Sequence, residues 1–256
     1  MFTKAIVRAP SANFASGLTT VDLGAPVFEL ALQQHEAYCR TLEACGLSLA
    51  FLEPDERYPD STFVEDTAVL TRRGAVIARP GVSSRLGEAE AIEPVLAHYF
   101  DRLHAIREPG TLDGGDVCEA GDHFFIGISQ RTNEAGATQL AALLDEFGYT
   151  STLIDIRNLS NILHLKSGLA YLGGNRMLVI DEVKKLNRLD GYELIAVDKA
   201  EEYAANCLAV NDRILVAAGF PNLQQRLQQL DYETIVLEMS EFQKMDGGLS
   251  CLSLRL

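Results

Sequence analysis

The chain has 256 residues, of which 47% are hydrophobic and 23% charged, the balance of a globular protein able to bury a substantial core. Its formal net charge of −14 argues against a nucleic-acid partner, which would select a basic surface, and is compatible with a cationic small substrate. No run approaches the roughly 18 apolar residues of a membrane span, and the N-terminus lacks the apolar segment of a signal peptide, so a cytoplasmic protein with no membrane partner is expected.

Short apolar runs predict buried strands at 5–7, 75–78, 124–128, 177–180 and 214–217, several of them followed by a glycine or polar turn and then a helical pattern. Apolar residues at three- and four-residue spacing predict helices over 28–45, 86–100, 133–147 and 223–230. Gly46 is placed to stop the first helix, and Thr132 or Asn133 to cap the third. Second strands follow at 47–52, 152–156 and 234–237, while 191–197 reads as strand, leaving one unit without a full helix. The final segment, 247–256, is a glycine pair, one cysteine and an apolar run, and is expected to be tied down as a strand. Five recurrences of strand, helix and strand describe an α/β fold of about five units. Radial closure of such an array would leave no sheet edges and would gather the loops around one axis.

Several polar clusters are richer than a loop requires. Residues 54–66 carry five acids, and Asp60, Glu65 and Asp66 flank the apolar Phe63-Val64 pair. On a strand Glu65 and Asp66 would point to opposite sides, and would converge on one ligand only if the strand bends or ends there. Arg85 and Arg131 lie in two strand-to-helix loops and could clamp a carboxylate through their planar forks. Thr111-Leu112-Asp113-Gly114-Gly115-Asp116 reads as a turn bracketed by aspartates. His164 stands between two leucines, which on a strand would turn it to the opposite face.

The five cysteines, Cys39, Cys45, Cys118, Cys207 and Cys251, are an odd number without CxxC spacing, as expected for reduced thiols. Cys251, His164 and one of Asp113 or Asp116 supply a nucleophile, an acid/base and an orienting carboxylate. The acidic cluster points to a cationic electrophile and the arginines to a ligand that also carries a carboxylate; an amino acid with a cationic side chain meets both demands. No metal-binding, Walker or dinucleotide-binding pattern is present, so no metal or cofactor is expected.

These motifs carry a resemblance. DERYPDSTFVED at 55–66, RPGVSSRLGE at 79–88, GTLDGGDV at 110–117, RTNEAG at 131–136, LHLKSGLAYL at 163–172, YAANC at 203–207 and KMDGGLSCLS at 244–253 occur in order and at the right spacing. The sequence resembles the dimethylarginine dimethylaminohydrolases, particularly the bacterial ones, of the guanidine-modifying or pentein superfamily. The resemblance implies a five-bladed α/β propeller of ββαβ-type units forming one catalytic domain over 1–256. It implies Cys251 as nucleophile, His164 as acid/base and Asp113, at a position where the family has Glu or Asp, as the carboxylate that orients the histidine. It further implies Glu65 and Asp66 facing the guanidinium, Asp60 and the Leu18 backbone at the α-amino group, and Arg85 and Arg131 at the carboxylate. The implied substrates are Nω,Nω-dimethyl- and monomethyl-L-arginine, with arginine deiminase activity and a catalytically inactive binding protein as competing outcomes. Oligomeric state is not legible; a homodimer would show itself as an exposed apolar patch.

Overall fold

Each of the five apolar runs forms the middle strand of a three-stranded sheet in the computed structural model, which describes Met1 to Leu256. The middle strands are Lys4–Arg8, Gly74–Ile77, His123–Ile128, Arg176–Val179 and Arg213–Ala217. Their central residues are buried on both faces, which is why they read as continuous apolar runs and not as an alternation. Every middle strand has one antiparallel and one parallel neighbour. The parallel neighbours are Ser48–Leu52, Leu103–Ala105, Thr150–Asp155, Glu193–Ala196 and Glu233–Leu237. A parallel pair cannot be joined by a tight turn, so a helical crossover precedes each of these strands.

Three crossovers are the expected helices. Phe28–Ala44 buries Ala31, Gln34, His35, Tyr38, Cys39 and Leu42 along one face and ends at Gly46, whose φ of +91° favours glycine. Glu134–Glu146 is capped by the Asn133 side chain, which accepts from the Gly136 N–H. Its Ala137, Leu140 and Leu144 pack with Val76, Phe124, Ile126 and Tyr149 in one core cluster. Pro221–Gln229 packs on the Glu233–Leu237 strand that follows it, and the fourth crossover is the single turn Asp181–Lys184, the unit expected to lack a full helix.

Three local expectations need correction. The continuous helix expected over 86–100 is a 3-10 helix, Ser83–Ala91, followed by one α-turn, Glu93–Leu96. Pro94 has no N–H and its ring would strike the carbonyl of residue 90, so an α-helix cannot run through it, although it is tolerated in a first turn. Residues Val64–Thr67 form a 3-10 turn, not a strand, so Glu65 and Asp66 do not alternate across a sheet. The C-terminal segment is a strand only over Ser253–Arg255; Ser250–Leu252 is another 3-10 turn.

The chain divides into two compact units, Met1–Val64 with Asn206–Leu256, and Glu65–Ala205. The first holds two of the sheets and brings the two chain ends together, with Val7 opposite Ser253 in antiparallel register. The second holds the other three sheets. No helix is long and apolar enough to cross a membrane.

Candidate active site

The expected site residues divide between the units. Leu18, Asp60 and Cys251 belong to the first; Glu65, Asp66, Arg85, Asp113, Arg131 and His164 belong to the second.

In the first unit, Cys251 sits in the Ser250–Leu252 turn and is the one cysteine of the five that is not buried. Its Sγ accepts from the Gly248 N–H at 3.4 Å. Asn206 fixes the turn: its Oδ1 accepts from the Ser250 N–H at 2.9 Å and its Nδ2 donates to Ser250 Oγ at 3.2 Å. A Cβ on Gly248 would fall 2.5 Å from the Asn206 side chain, and one on Gly247 would overlap the Phe63 ring. The glycine pair therefore serves close approach; the left-handed residue here is Asp246, with φ +57°. Phe63 stacks edge-on with Phe14 and Phe242, at centroid distances of 6.0 and 6.3 Å. Buried Asp60 accepts the Leu18 N–H on both oxygens, at 3.0 and 3.2 Å. The segment after Leu18 is held to residues 241–246: Thr19 Oγ1 donates to the Lys244 carbonyl, Thr20 N–H to Asp246 Oδ2 and Val27 N–H to Glu241 Oε2.

The second unit holds a buried network of acidic and basic side chains. His164 Nε2 and Asp113 Oδ2 are 3.0 Å apart, and Asp113 Oδ1 accepts from the Gly81 N–H at 2.9 Å. Asp113, not Asp116, thus bonds the imidazole, and Arg131 Nη1 lies 3.9 Å from the same carboxylate. His164 is a single extended residue ahead of the Leu165–Ser167 3-10 turn, not part of a strand. Asp66 Oδ1 accepts from the Gly115 N–H at 2.9 Å, and its Oδ2 accepts from Arg85 Nη1 at 2.7 Å. The rest of the Arg85 fork engages Glu88, through Nε at 2.9 Å and Nη2 at 2.7 Å. Arg85 is only 4% exposed, with its guanidinium committed to two carboxylates. Glu65 pairs with Lys166 Nζ at 2.7 Å. A Cβ on Gly115 would lie 2.7 Å from His164 Nδ1, so the imidazole occupies the space a side chain would take.

Sequence reasoning did not single out Lys166, Glu88 or Asn206. The Arg85–Glu88 pair had a readable signal, opposite charges three residues apart on a helical turn. Lys166 and Asn206 had none, because their partners are distant in sequence.

The charges set the protonation states. Burial by itself would lower the His164 pKa, but the Asp66 charge, the Asp113 hydrogen bond and the charges of Asp116 and Asp113 raise it to about 9. His164 is therefore an imidazolium at neutral pH. Burial would raise Asp66, yet His164 and Arg85 outweigh it and hold the carboxyl down at about 2. Burial pushes the Cys118 thiol up to about 11 and Cys39 to about 12, so both stay protonated at neutral pH. Asp66, Asp113 and His164 bring potential ligand atoms within 4.8 Å of one another. Their donor atoms are already engaged by Arg85, Gly115, Gly81 and each other, an arrangement suited to moving a proton and not to caging a cation.

Comparison with known proteins finds relatives over the whole chain. The arginine deiminase family model matches residues 33–202. The N(G),N(G)-dimethylarginine dimethylaminohydrolase of Pseudomonas aeruginosa is 42% identical over 256 residues, covering 100% of both chains. The protein of the same name from Streptomyces coelicolor is 36% identical over 99% of this chain and 96% of that one. A solved structure of a cysteine-to-serine mutant of the Pseudomonas aeruginosa protein, complexed with citrulline, matches with a TM-score of 0.97 over 100% of both chains at 42% identity. The fold class is accordingly the five-bladed α/β propeller of ββαβ-type units that the sequence resemblance implied. With that extent of identity, the chain belongs to the dimethylarginine dimethylaminohydrolase family, within the arginine deiminase-type penteins.

Proposed function

We propose that the protein is a dimethylargininase, hydrolysing Nω,Nω-dimethyl-L-arginine, and the monomethyl form, to L-citrulline with release of dimethylamine or methylamine. The observation that carries this reading is the buried His164–Asp113 pair, bordered by Asp66, in a chain whose full-length relatives bear that name. Residues 1–256 act as one catalytic domain, since neither compact unit alone supplies both the nucleophile and the acid/base.

A guanidinium carbon is a poor electrophile because its charge is delocalised. Glu65 and Asp66 hold the cation and orient its planar carbon toward the attacking sulfur. The imidazolium of His164 and the substrate's own charge both favour the thiolate of Cys251. The sulfur adds to the guanidinium carbon, the departing alkylamine nitrogen takes the proton from His164, and the C–N bond breaks to leave an S-alkylthiouronium. Neutral His164 then takes one proton from water as the oxygen adds to the same carbon, and the C–S bond breaks to return the thiolate. The added oxygen's second proton leaves to solvent, where the released amine takes it up, and citrulline is formed. One residue serves both halves because the second reverses the proton transfer of the first. Asp113 holds Nε2, which leaves Nδ1 to carry the proton. Asp60 and the Leu18 backbone take the α-amino group, and Arg131 meets the carboxylate. Arg85, held by Asp66 and Glu88, adds a fixed positive charge toward that carboxylate and is the counter-ion of Asp66. Water is the only co-reactant, and no cofactor is required.

The test is citrulline formation from dimethylarginine, monomethylarginine and unmodified arginine at equal concentrations, with the Cys251→Ser protein as control. Citrulline with matching alkylamine release from the methylated substrates is the expected result. Turnover of arginine alone would assign a deiminase activity, and binding without turnover a sensor. A cytoplasmic setting, a homodimer and the absence of nucleic-acid or membrane partners belong to the same reading; light scattering on purified protein reads the oligomeric state.

A further inference from the structure

One buried carboxylate neither reacts nor binds substrate in the chemistry above, yet it hydrogen-bonds to residues next to groups that do. Asp116 is fully buried, at the end of the Gly114–Asp116 turn. Its Oδ1 accepts from the N–H of Leu165, the residue that follows His164, at 2.9 Å. Its Oδ2 accepts from Thr132 Oγ1 at 2.7 Å and from Ser129 Oγ at 2.6 Å. Neither hydroxyl ends there. Thr132 Oγ1 accepts from the Asp113 N–H at 3.1 Å, and Ser129 Oγ accepts from the N–H groups of Arg131 and Thr132 at 2.9 and 3.0 Å. Gly127 backs the carboxylate: a Cβ there would lie 3.0 Å from Asp116 Oδ1.

A carboxylate is an acceptor only, and each hydroxyl that donates to it must present its lone pairs to backbone N–H groups. The charge of Asp116 thus fixes the direction of every bond in the cluster. We propose that Asp116 is a positioning residue, which through Leu165, Thr132 and Ser129 sets the relative placement of the His164, Asp113 and Arg131 segments. Removing outer partners of this kind costs activity on the order of 10–100-fold. The inference rests on the reading of His164 as the acid/base.

The two arms of the network separate in experiment. Removing the Asp113 arm by Thr132→Val is expected to lower kcat by about tenfold with KM changing far less, whereas Thr132→Ser keeps the hydroxyl and stays near the parent. Removing the Arg131 arm by Ser129→Ala is expected to act mainly on KM. Asp116→Asn, which replaces one of the two acceptor oxygens by a donor NH2 and so leaves one side of the network donor against donor, is expected to lower kcat by about 10–100-fold. It should also move the His164 titration, followed by NMR, to lower pH. The groups facing that imidazole are Asp66, Asp113 and Asp116, with Arg85 on Asp66 and Arg131 near Asp113. Only Asp116 changes in the variant, so the direction is set by the lost negative charge. Parent kcat and an unmoved His164 titration in folded Asp116→Asn would overturn the proposal. If that variant does not fold, parent kcat in Thr132→Val would overturn it, and a kcat loss restored in Thr132→Ser would support it. His164→Gly, run alongside, distinguishes the two readings: parent turnover there would remove His164 as the acid/base, whatever the Asp116 result.

Discussion

The turn of the proposed nucleophile in the first unit and the cluster around the proposed acid/base in the second are built by different means. Around Cys251 the turn rests on backbone and amide contacts and close packing: a backbone N–H on the sulfur, an asparagine bridging the turn, the Arg255 guanidinium on the Ser250 carbonyl, and two glycines whose missing side chains admit Phe63 and Asn206. Around His164 nearly every contact is ionic: the imidazole on Asp113, Asp66 on Arg85, Arg85 on Glu88 and Glu65 on Lys166. Steric fit places the sulfur, and opposed charges place and protonate the imidazole. The difference teaches that the proposed nucleophile is placed by close packing, whereas the proposed acid sits where its proton affinity is tuned by its neighbours.

The largest expected effect breaks the comparison at its close-packed end. Cys251→Ser should lower turnover by at least about 10⁴-fold with an unchanged melting temperature, since the loss is chemical and not structural. Appreciable alkylamine release would remove Cys251 as nucleophile. At the ionic end, Asp66→Asn deprives buried Arg85 of a charge partner and should cost about 3–5 kcal/mol in denaturant unfolding. Gly248→Ala, which forces a Cβ toward Asn206, is an overpacking change and should cost about 1–3 kcal/mol. A smaller cost for Asp66→Asn than for Gly248→Ala would contradict the contrast between the two regions. Arg131→Ala should raise KM for dimethylarginine by about 10–100-fold, the loss of one charge-assisted contact, and have little effect on an analogue without the carboxylate. Arg85→Ala should act on stability and kcat together, because its guanidinium is the counter-ion of Asp66.

The smallest effects are those of pH. The His164 pKa is raised, so its proton is present at neutral pH and kcat/KM should fall as pH passes through about 9. By the same sign, the stability this imidazolium contributes is fully present below its unfolded pKa of about 6.5 and is lost as pH rises through about 9. Asp66 is depressed, so its contribution is present above about 3.8 and is lost as pH falls through about 2. No such dependence is expected of the packing around Gly247 and Gly248. Thermal unfolding of the parent and Asp66→Asn proteins across pH 2–10 reads both limbs.

Much of the fold was legible because its signals are local. The five middle strands are buried on both faces and so stand out as apolar runs, and the Phe28–Ala44 and Glu134–Glu146 helices carry their own periodicity and end signals. The failures were also local, and each has a physical cause. Pro94 interrupts a helical pattern that apolar spacing alone extends, and the 64–67 turn looks extended because alternation cannot tell a strand from one tight turn. Within the site, residue types and motif order singled out Cys251, His164, Glu65 and Asp66 as candidates and left Asp113 and Asp116 as alternatives, between which only the family resemblance chose.

By itself, the amino-acid sequence determined the five-fold recurrence and the family and offered a set of candidate reactive groups, because composition, period and motif spacing are properties of the chain. Only the tertiary structure decided which carboxylate bonds the histidine, that Arg85 is buried between Asp66 and Glu88, and that Asp116 joins three segments. Those outcomes depend on distances between residues tens of positions apart and on the removal of water from around them. Burial turns a run of acids and arginines into a network with assigned protons.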